Sequence, residues 1–169
     1  MNQLPLNDPI HLAARLGELL QTRGWRLVTA ESCTGGWVAK IITDIAGSSL
    51  WFDRGFVTYS NAAKQDMLGV NSALIAAQGA VSEAVVQAMV RGALAHSLAE
   101  IAIAISGIAG PNGGSISKPV GTVWIGWSLP NGSIHSRCFQ FTGDREAVRY
   151  QAVTTALHEL LMLLEMQSK

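Results

Sequence analysis

Charge is scarce in this 169-residue chain. Asp, Glu, Lys and Arg together make up 14% of it, against about 25% in an average soluble domain. Apolar residues make up 49%, which excludes a disordered, solvated chain. So little charge also predicts that part of the surface is covered by a second copy, in a homodimer or another homo-oligomer. Neither sign is in excess, because twelve Lys and Arg balance twelve Asp and Glu. A nucleic-acid-binding domain shows a basic excess or patch, so no nucleic-acid partner is expected. Two cysteines, Cys33 and Cys138, are too few for a disulfide framework and fit free thiols in a reducing cytoplasm. Every apolar run breaks well before the roughly 18 residues that a membrane span needs, and residues 1–10 lack the parts of a secretion signal. The four histidines are scattered and no paired-cysteine spacing occurs, so neither a metal nor another cofactor is expected.

What is present reads as alternating helices and strands in one domain, residues 1–169, with residues 1–8 as a short polar arm. Apolar positions from Ile10 to Leu20 recur at helical spacing. Asp8 is placed to cap that helix, Pro9 to start it and Gly24 to stop it. Residues 25–30 read as a strand, 37–45 as a helix and 54–60 as a second strand. Asn61 is placed to cap a helix reaching Leu68, and Asn71 to start another reaching about Ala77. Ser82 is placed to cap a long helix reaching about Ala99. Ile101–Ile105 is apolar on both faces, as a central strand is. Residues 106–119 form a glycine-rich loop. Strands over 120–129 and 133–141 flank Asn131-Gly132, a hairpin signal. A last helix runs from Thr142 to about Met166. This order predicts a three-layer α/β/α fold around a mixed, mostly parallel central sheet of about five strands.

In open α/β sheets, ligands bind beyond the carboxyl ends of the strands, so the polar segments after strands are the candidates for a site. Glu31-Ser-Cys-Thr-Gly-Gly36 joins a strand to a helix. Its glycines allow close backbone approach, and the helix start suits an anion; alternatively, Ser32 or Thr34 only caps the helix. Glu31, just past a buried strand, needs either a partner or a ligand hydroxyl. Five of the nine residues from Ser106 to Gly114 are Gly or Pro, without a phosphate-loop pattern. Lys64 falls near the start of a helix, where the helix field and burial would lower its pKa. A neutral lysine can deprotonate a serine; an exposed surface lysine is the alternative. Ser32, Ser48, Ser49, Ser60, Ser106 and Cys33 are the candidate nucleophiles, and no G-x-S-x-G elbow exists. Arg145 begins the last helix, as a phosphate ligand or as a partner of Asp144 or Glu146.

Six segments in order carry a resemblance: Thr29-Ala-Glu-Ser-Cys-Thr-Gly-Gly36, Ala46-Gly-Ser-Ser49 with Trp51-Phe52, Val57-Thr-Tyr-Ser-Asn61 with Lys64, Gly79-Ala-Val-Ser82, Ile105-Ser-Gly-Ile-Ala-Gly-Pro111 and Lys118-Pro-Val-Gly-Thr-Val123. Together they resemble the C-terminal domain of the CinA family, over residues 9 to about 165. That family contains nicotinamide-nucleotide amidases, and the chain looks like its stand-alone form, without the molybdopterin-binding-like domain of longer members. The resemblance implies a cytoplasmic, metal-free hydrolase that converts nicotinamide mononucleotide to nicotinate mononucleotide and ammonia. Through the family's serine–lysine arrangement it implies Ser49 as nucleophile, with Ser48 as the neighbouring alternative, Lys64 as base and Tyr59 as the residue orienting them. Glu31, Ser32, Gly36, Ser48, Ser106, Gly107 and Arg145 would line the nucleotide pocket. A non-catalytic or divergent nucleotide-binding, regulatory paralogue is the alternative function.

Overall fold

A computed structural model describes residues 8–166; apart from Asp8, the expected polar arm lies outside the described residues. Helix α1 is Pro9–Arg23, with the Asp8 carboxylate accepting from the Ile10 N–H and Gly24 closing it in the left-handed region. Strand β1 is Leu27–Glu31 and helix α2 is Trp37–Thr43. A single 3-10 turn, Ser48–Leu50, leads into strand β2, Phe52–Val57. Helices α3 (Asn61–Leu68), α4 (Ser72–Gln78) and α5 (Glu83–Ala95) follow. Strands β3 (Ile101–Gly107), β4 (Thr122–Ser128) and β5 (Ile134–Gln140) precede the long helix α6, Arg145–Met166.

The sheet order is β2-β1-β3-β4-β5. β1 runs parallel to β2 and β3, β4 is antiparallel to β3, and β5 is antiparallel to β4. Only β4 therefore opposes the common direction, as the sequence order predicts. Two apolar clusters fill the two faces. Ile101, Ile103 and Ile105 of β3 pack with Leu16 of α1, Ile42 of α2 and Leu157 of α6. On the other face Ala102 and Ala104 meet Leu68 of α3, Ile75 of α4 and Met89 of α5. Burying each such Ile, Leu or Met contributes about 1.5–3 kcal/mol. The small residues on that second face let α5 approach closely: a Cβ added to Gly126 would come within 3.1 Å of Val90 Cγ2.

Several boundaries differ from the expectation. Ser60, rather than Asn61, caps α3, because its Oγ accepts from the Ala63 N–H at 3.0 Å. β2 begins and ends earlier than expected, as Ser60 turns the chain into α3. α5 stops at Ala95, where the His96 ring bonds back to the Gly92 carbonyl. β3 runs on through Ser106 and Gly107, since both pair with β4. α6 starts at Arg145, after Asp144 Oδ1 accepts from the Ala147 N–H. No helix among the described residues is long and apolar enough to cross a membrane.

Candidate active site

β1 ends at Glu31 and is followed by Ser32, and these two polar side chains turn to opposite sides of the sheet, as the period-two alternation of the strand continues into the turn. Glu31 faces α2. Its carboxylate is fully buried and accepts three backbone N–H groups, from Gly36 (3.1 Å), Val38 (3.1 Å) and Ala39 (2.9 Å). A carboxylate there satisfies orphan donors and opposes the helix dipole. Glu31 is thus the cap of α2, and its oxygens are taken up by that role instead of by a ligand hydroxyl. Gly36 serves the same helix start, at φ 92°.

Ser32 faces the other way, toward α3. Lys64 reaches it from one turn inside α3, with Nζ 2.9 Å from Ser32 Oγ and donating to the Thr58 carbonyl at 2.9 Å. Lys64 is 1% exposed, and no carboxylate pairs with it in the ion pairs of the described residues. Burial lowers its pKa below the ordinary lysine value, opposed only by the neighbouring Cys33 thiol. The strand geometry explains the meeting. β1 and β2 are parallel neighbours, and the Thr58 N–H bonds the Glu31 carbonyl at 2.8 Å. The segments leaving the two strands therefore emerge side by side at the carboxyl end.

The Gly47 turn lies at the other end. The Leu27 N–H, at the start of β1, bonds the Trp51 carbonyl at 2.8 Å. Ser48 and Ser49 thus sit at the amino edge of the sheet, separated from Ser32 by the length of β1, roughly 16 Å at about 3.3 Å per residue. Ser48 is buried and Ser49 exposed, and no hydrogen bond links either hydroxyl to Lys64. The expectation that Ser49 or Ser48 partners Lys64 is therefore corrected: the hydroxyl against the amine is Ser32.

A cleft of about 270 Å³ opens above Ser32. It is lined by Ser32 and Cys33, by Tyr59, by the Gly107–Gly110 loop with Asn112 and Gly113, and by Arg145. Tyr59 lines the same cleft as Ser32; its hydroxyl accepts from Arg145 Nη2 at 2.8 Å, and no hydrogen bond joins it to Ser32 or Lys64. Arg145 Nη1 donates to the Gly110 carbonyl at 2.7 Å, so this guanidinium spans the rim from Tyr59 to the glycine-rich loop. Neither Asp144 nor Glu146 pairs with it. Ser106 is buried under the cleft, and its Oγ donates to the Ala80 carbonyl at 2.7 Å, which ties β3 to the α4–α5 connection. Gly107 does line the cleft; a Cβ there would press on Val123 Cγ2 at 2.6 Å and Cys33 Sγ at 3.1 Å. The Cys33 thiol is pushed up to about 11 by burial, so it is a protonated packing group at neutral pH.

One residue of the site has no counterpart in the sequence reading. Arg149, one turn beyond Arg145 on α6, donates to the carbonyls of Cys33 and Thr34 at 3.0 Å each and lies over the Trp37 ring. Its signal was the i, i+4 pair of arginines at a helix start, where cations are disfavoured. Among the described residues no three potential metal ligands come together.

The CinA C-terminal domain model matches residues 10–164. The nicotinamide-nucleotide amidohydrolase PncC of Escherichia coli strain K12 is 56% identical over 154 residues, which cover 91% of this chain and 93% of that protein. The protein of the same name from Pseudomonas putida is 57% identical over 158 residues, covering 92% and 98%. The crystal structure of the competence/damage inducible protein CihA from Agrobacterium tumefaciens matches with a TM-score of 0.91 at 44% identity, covering 98% of this chain and 99% of that one. Motif, sequence and architecture agree over almost the full length, and the chain belongs to the CinA C-terminal domain family.

Proposed function

We propose that this chain hydrolyses the carboxamide of nicotinamide mononucleotide, with Ser32 as nucleophile and Lys64 as general base. The observation that carries the reading is the buried Lys64 amine 2.9 Å from Ser32 Oγ beneath an open cleft. The names of the relatives support the substrate.

In this reaction the neutral amine takes the Ser32 proton as Oγ attacks the carboxamide carbon. The oxyanion falls to backbone N–H groups of the turn after Ser32 or of the Gly107–Gly110 loop, each such donor contributing about 3 kcal/mol to the transition state. The Lys64 ammonium then passes its proton to the departing nitrogen, which leaves as ammonia. The nicotinoyl ester on Ser32 is cleaved by a water whose proton returns through Lys64 to Oγ. Arg145, whose hydrogen-bond partners among the described residues are neutral oxygens at the rim, is available to the substrate phosphate, and such remote binding energy orients the reacting amide.

The test is to incubate the purified protein with nicotinamide mononucleotide and measure ammonia and nicotinate mononucleotide together. Equimolar release that vanishes in Lys64→Ala is the expected result. Release no greater than that of the variant would overturn the reading.

A further inference from the structure

We infer that Arg149 is a positioning residue for the nucleophile, acting on Ser32 through the peptide unit between Thr34 and Gly35. The inference rests on the reading of Ser32 as the reacting hydroxyl. Arg149 Nη2 donates to the Thr34 carbonyl at 3.0 Å, and the N–H of that same peptide unit, on Gly35, donates to the Ser32 carbonyl at 3.0 Å. A planar trans peptide points its C=O and N–H in opposite directions. Holding the oxygen on Arg149 therefore aims the N–H back at Ser32.

The second donor, Nε, holds the preceding carbonyl, that of Cys33, at 3.0 Å. Two adjacent peptide planes are thus fixed by one guanidinium. The guanidinium is itself fixed, since it lies 5.2 Å from the centroid of Trp37, the first residue of α2. Gly35 turns the chain beneath it at φ 61°, in the left-handed region that favours glycine. The Ser32 backbone is held on its amino side too, because its N–H donates to the Ile105 carbonyl at 3.0 Å. With both sides tied, the Oγ direction toward Lys64 is set by the frame.

A fork with two donors at fixed spacing is a property of arginine that lysine does not share. Misplacing a reacting group by about 1 Å costs on the order of 10²-fold in rate, so the expected signature is a loss in kcat with KM nearly unchanged. The experiment compares wild type with Arg149→Lys and Arg149→Ala. It measures kcat and KM on nicotinamide mononucleotide, the rate of Ser32 sulfonylation by phenylmethanesulfonyl fluoride (O–S bond formed, fluoride released as HF), and thermal stability. Both variants should lose at least tenfold in kcat and in the sulfonylation rate while remaining folded. Free guanidinium ion should restore part of the Arg149→Ala loss, and the lysine should not rescue it. Sulfonylation at the wild-type rate in folded Arg149→Ala would overturn the inference. So would a rise in KM alone, which would make Arg149 a substrate ligand. A wild type that is sulfonylated at Ser32 and leaves the nucleotide intact would refute the proposed substrate, while the variant labelling rates still decide the role of Arg149.

Discussion

The turn after β1 and the turn before β2 are built from the same kinds of residue. Each offers serine hydroxyls beside glycine, and each touches a strand of the parallel part of the sheet. Only the first has a buried amine against its hydroxyl, at 2.9 Å. The second presents Ser49 to solvent at the opposite edge. A serine becomes a nucleophile through its neighbours, and the neighbours are decided by which end of the sheet the turn occupies. A turn that follows a parallel strand joins the others that follow strands; one that precedes a strand is left at the far edge.

The widest separation between the two turns should appear in a pair of variants. Ser32→Ala should lower kcat on the order of 10⁴-fold or more, whereas Ser49→Ala, an exposed surface change, should stay within about twofold. Steady-state ammonia release on both would break the comparison if the losses were similar or reversed.

Lys64 sharpens it next. Lys64→Met should cost about 10²–10⁴-fold in kcat/KM, the usual worth of a general base. The wild-type kcat/KM should rise with pH through an acid limb lying below the ordinary lysine range, since burial lowers this pKa. Stability moves in the same direction. The unfolded chain holds the lysine proton up to about 10.4, and the folded chain gives it up earlier. The stability tied to this group is therefore complete above the unfolded pKa and is lost as pH falls through the folded one. Lys64→Met should remove that slope and unfold at higher denaturant than wild type at pH 7. A wild type and variant with parallel stability curves between pH 7 and 10 would refute the lowered pKa.

The smallest effect concerns the frame of the first turn. Glu31→Gln keeps the shape and replaces one acceptor oxygen with a donor, leaving at least one α2 N–H unpaired. The expected cost is about 1–3 kcal/mol of stability, read by urea unfolding, with activity retained far above that of Ser32→Ala. A loss of activity as complete as that of Ser32→Ala in a folded Glu31→Gln protein would return Glu31 to the reaction itself.

Most of the layer order was legible in the chain, because helical apolar spacing, the apolar run at Ile101–Ile105 and Asn131-Gly132 each specify an element locally. Caps were legible where a single side chain decided them, as at Asp8 and Ser82. Ser60 and Asn61 are both cap formers, and only the hydrogen bond to Ala63 separates them. The site was legible in part. Lys64 stood out through its conflict with the helix field, and Gly107 and Arg145 through their places after strands. Its pairing was not, since the contact with Ser32 spans 32 residues and depends on the order of strands across the sheet. Ser106 and Glu31 are both polar side chains at a strand end that meet backbone groups: Glu31 those of the helix start just after it, one of the two partners its sequence left open, and Ser106 the Ala80 carbonyl 26 residues away, which the sequence does not mark as near.

The opposed directions of Glu31 and Ser32 have a consequence for how this enzyme tolerates insertion and deletion. Adjacent side chains of one strand are insulated from each other by parity, however short the distance along the chain. A slip of β1 by one position toward its carboxyl end would turn Glu31 to the face of α3, bringing an anion against Lys64 and locking it as a cation, and would leave α2 with Ala30 where its anionic cap had been. The phase of a five-residue strand thus keeps an anion one residue from Ser32 in sequence and on the wrong side of the sheet to reach Lys64.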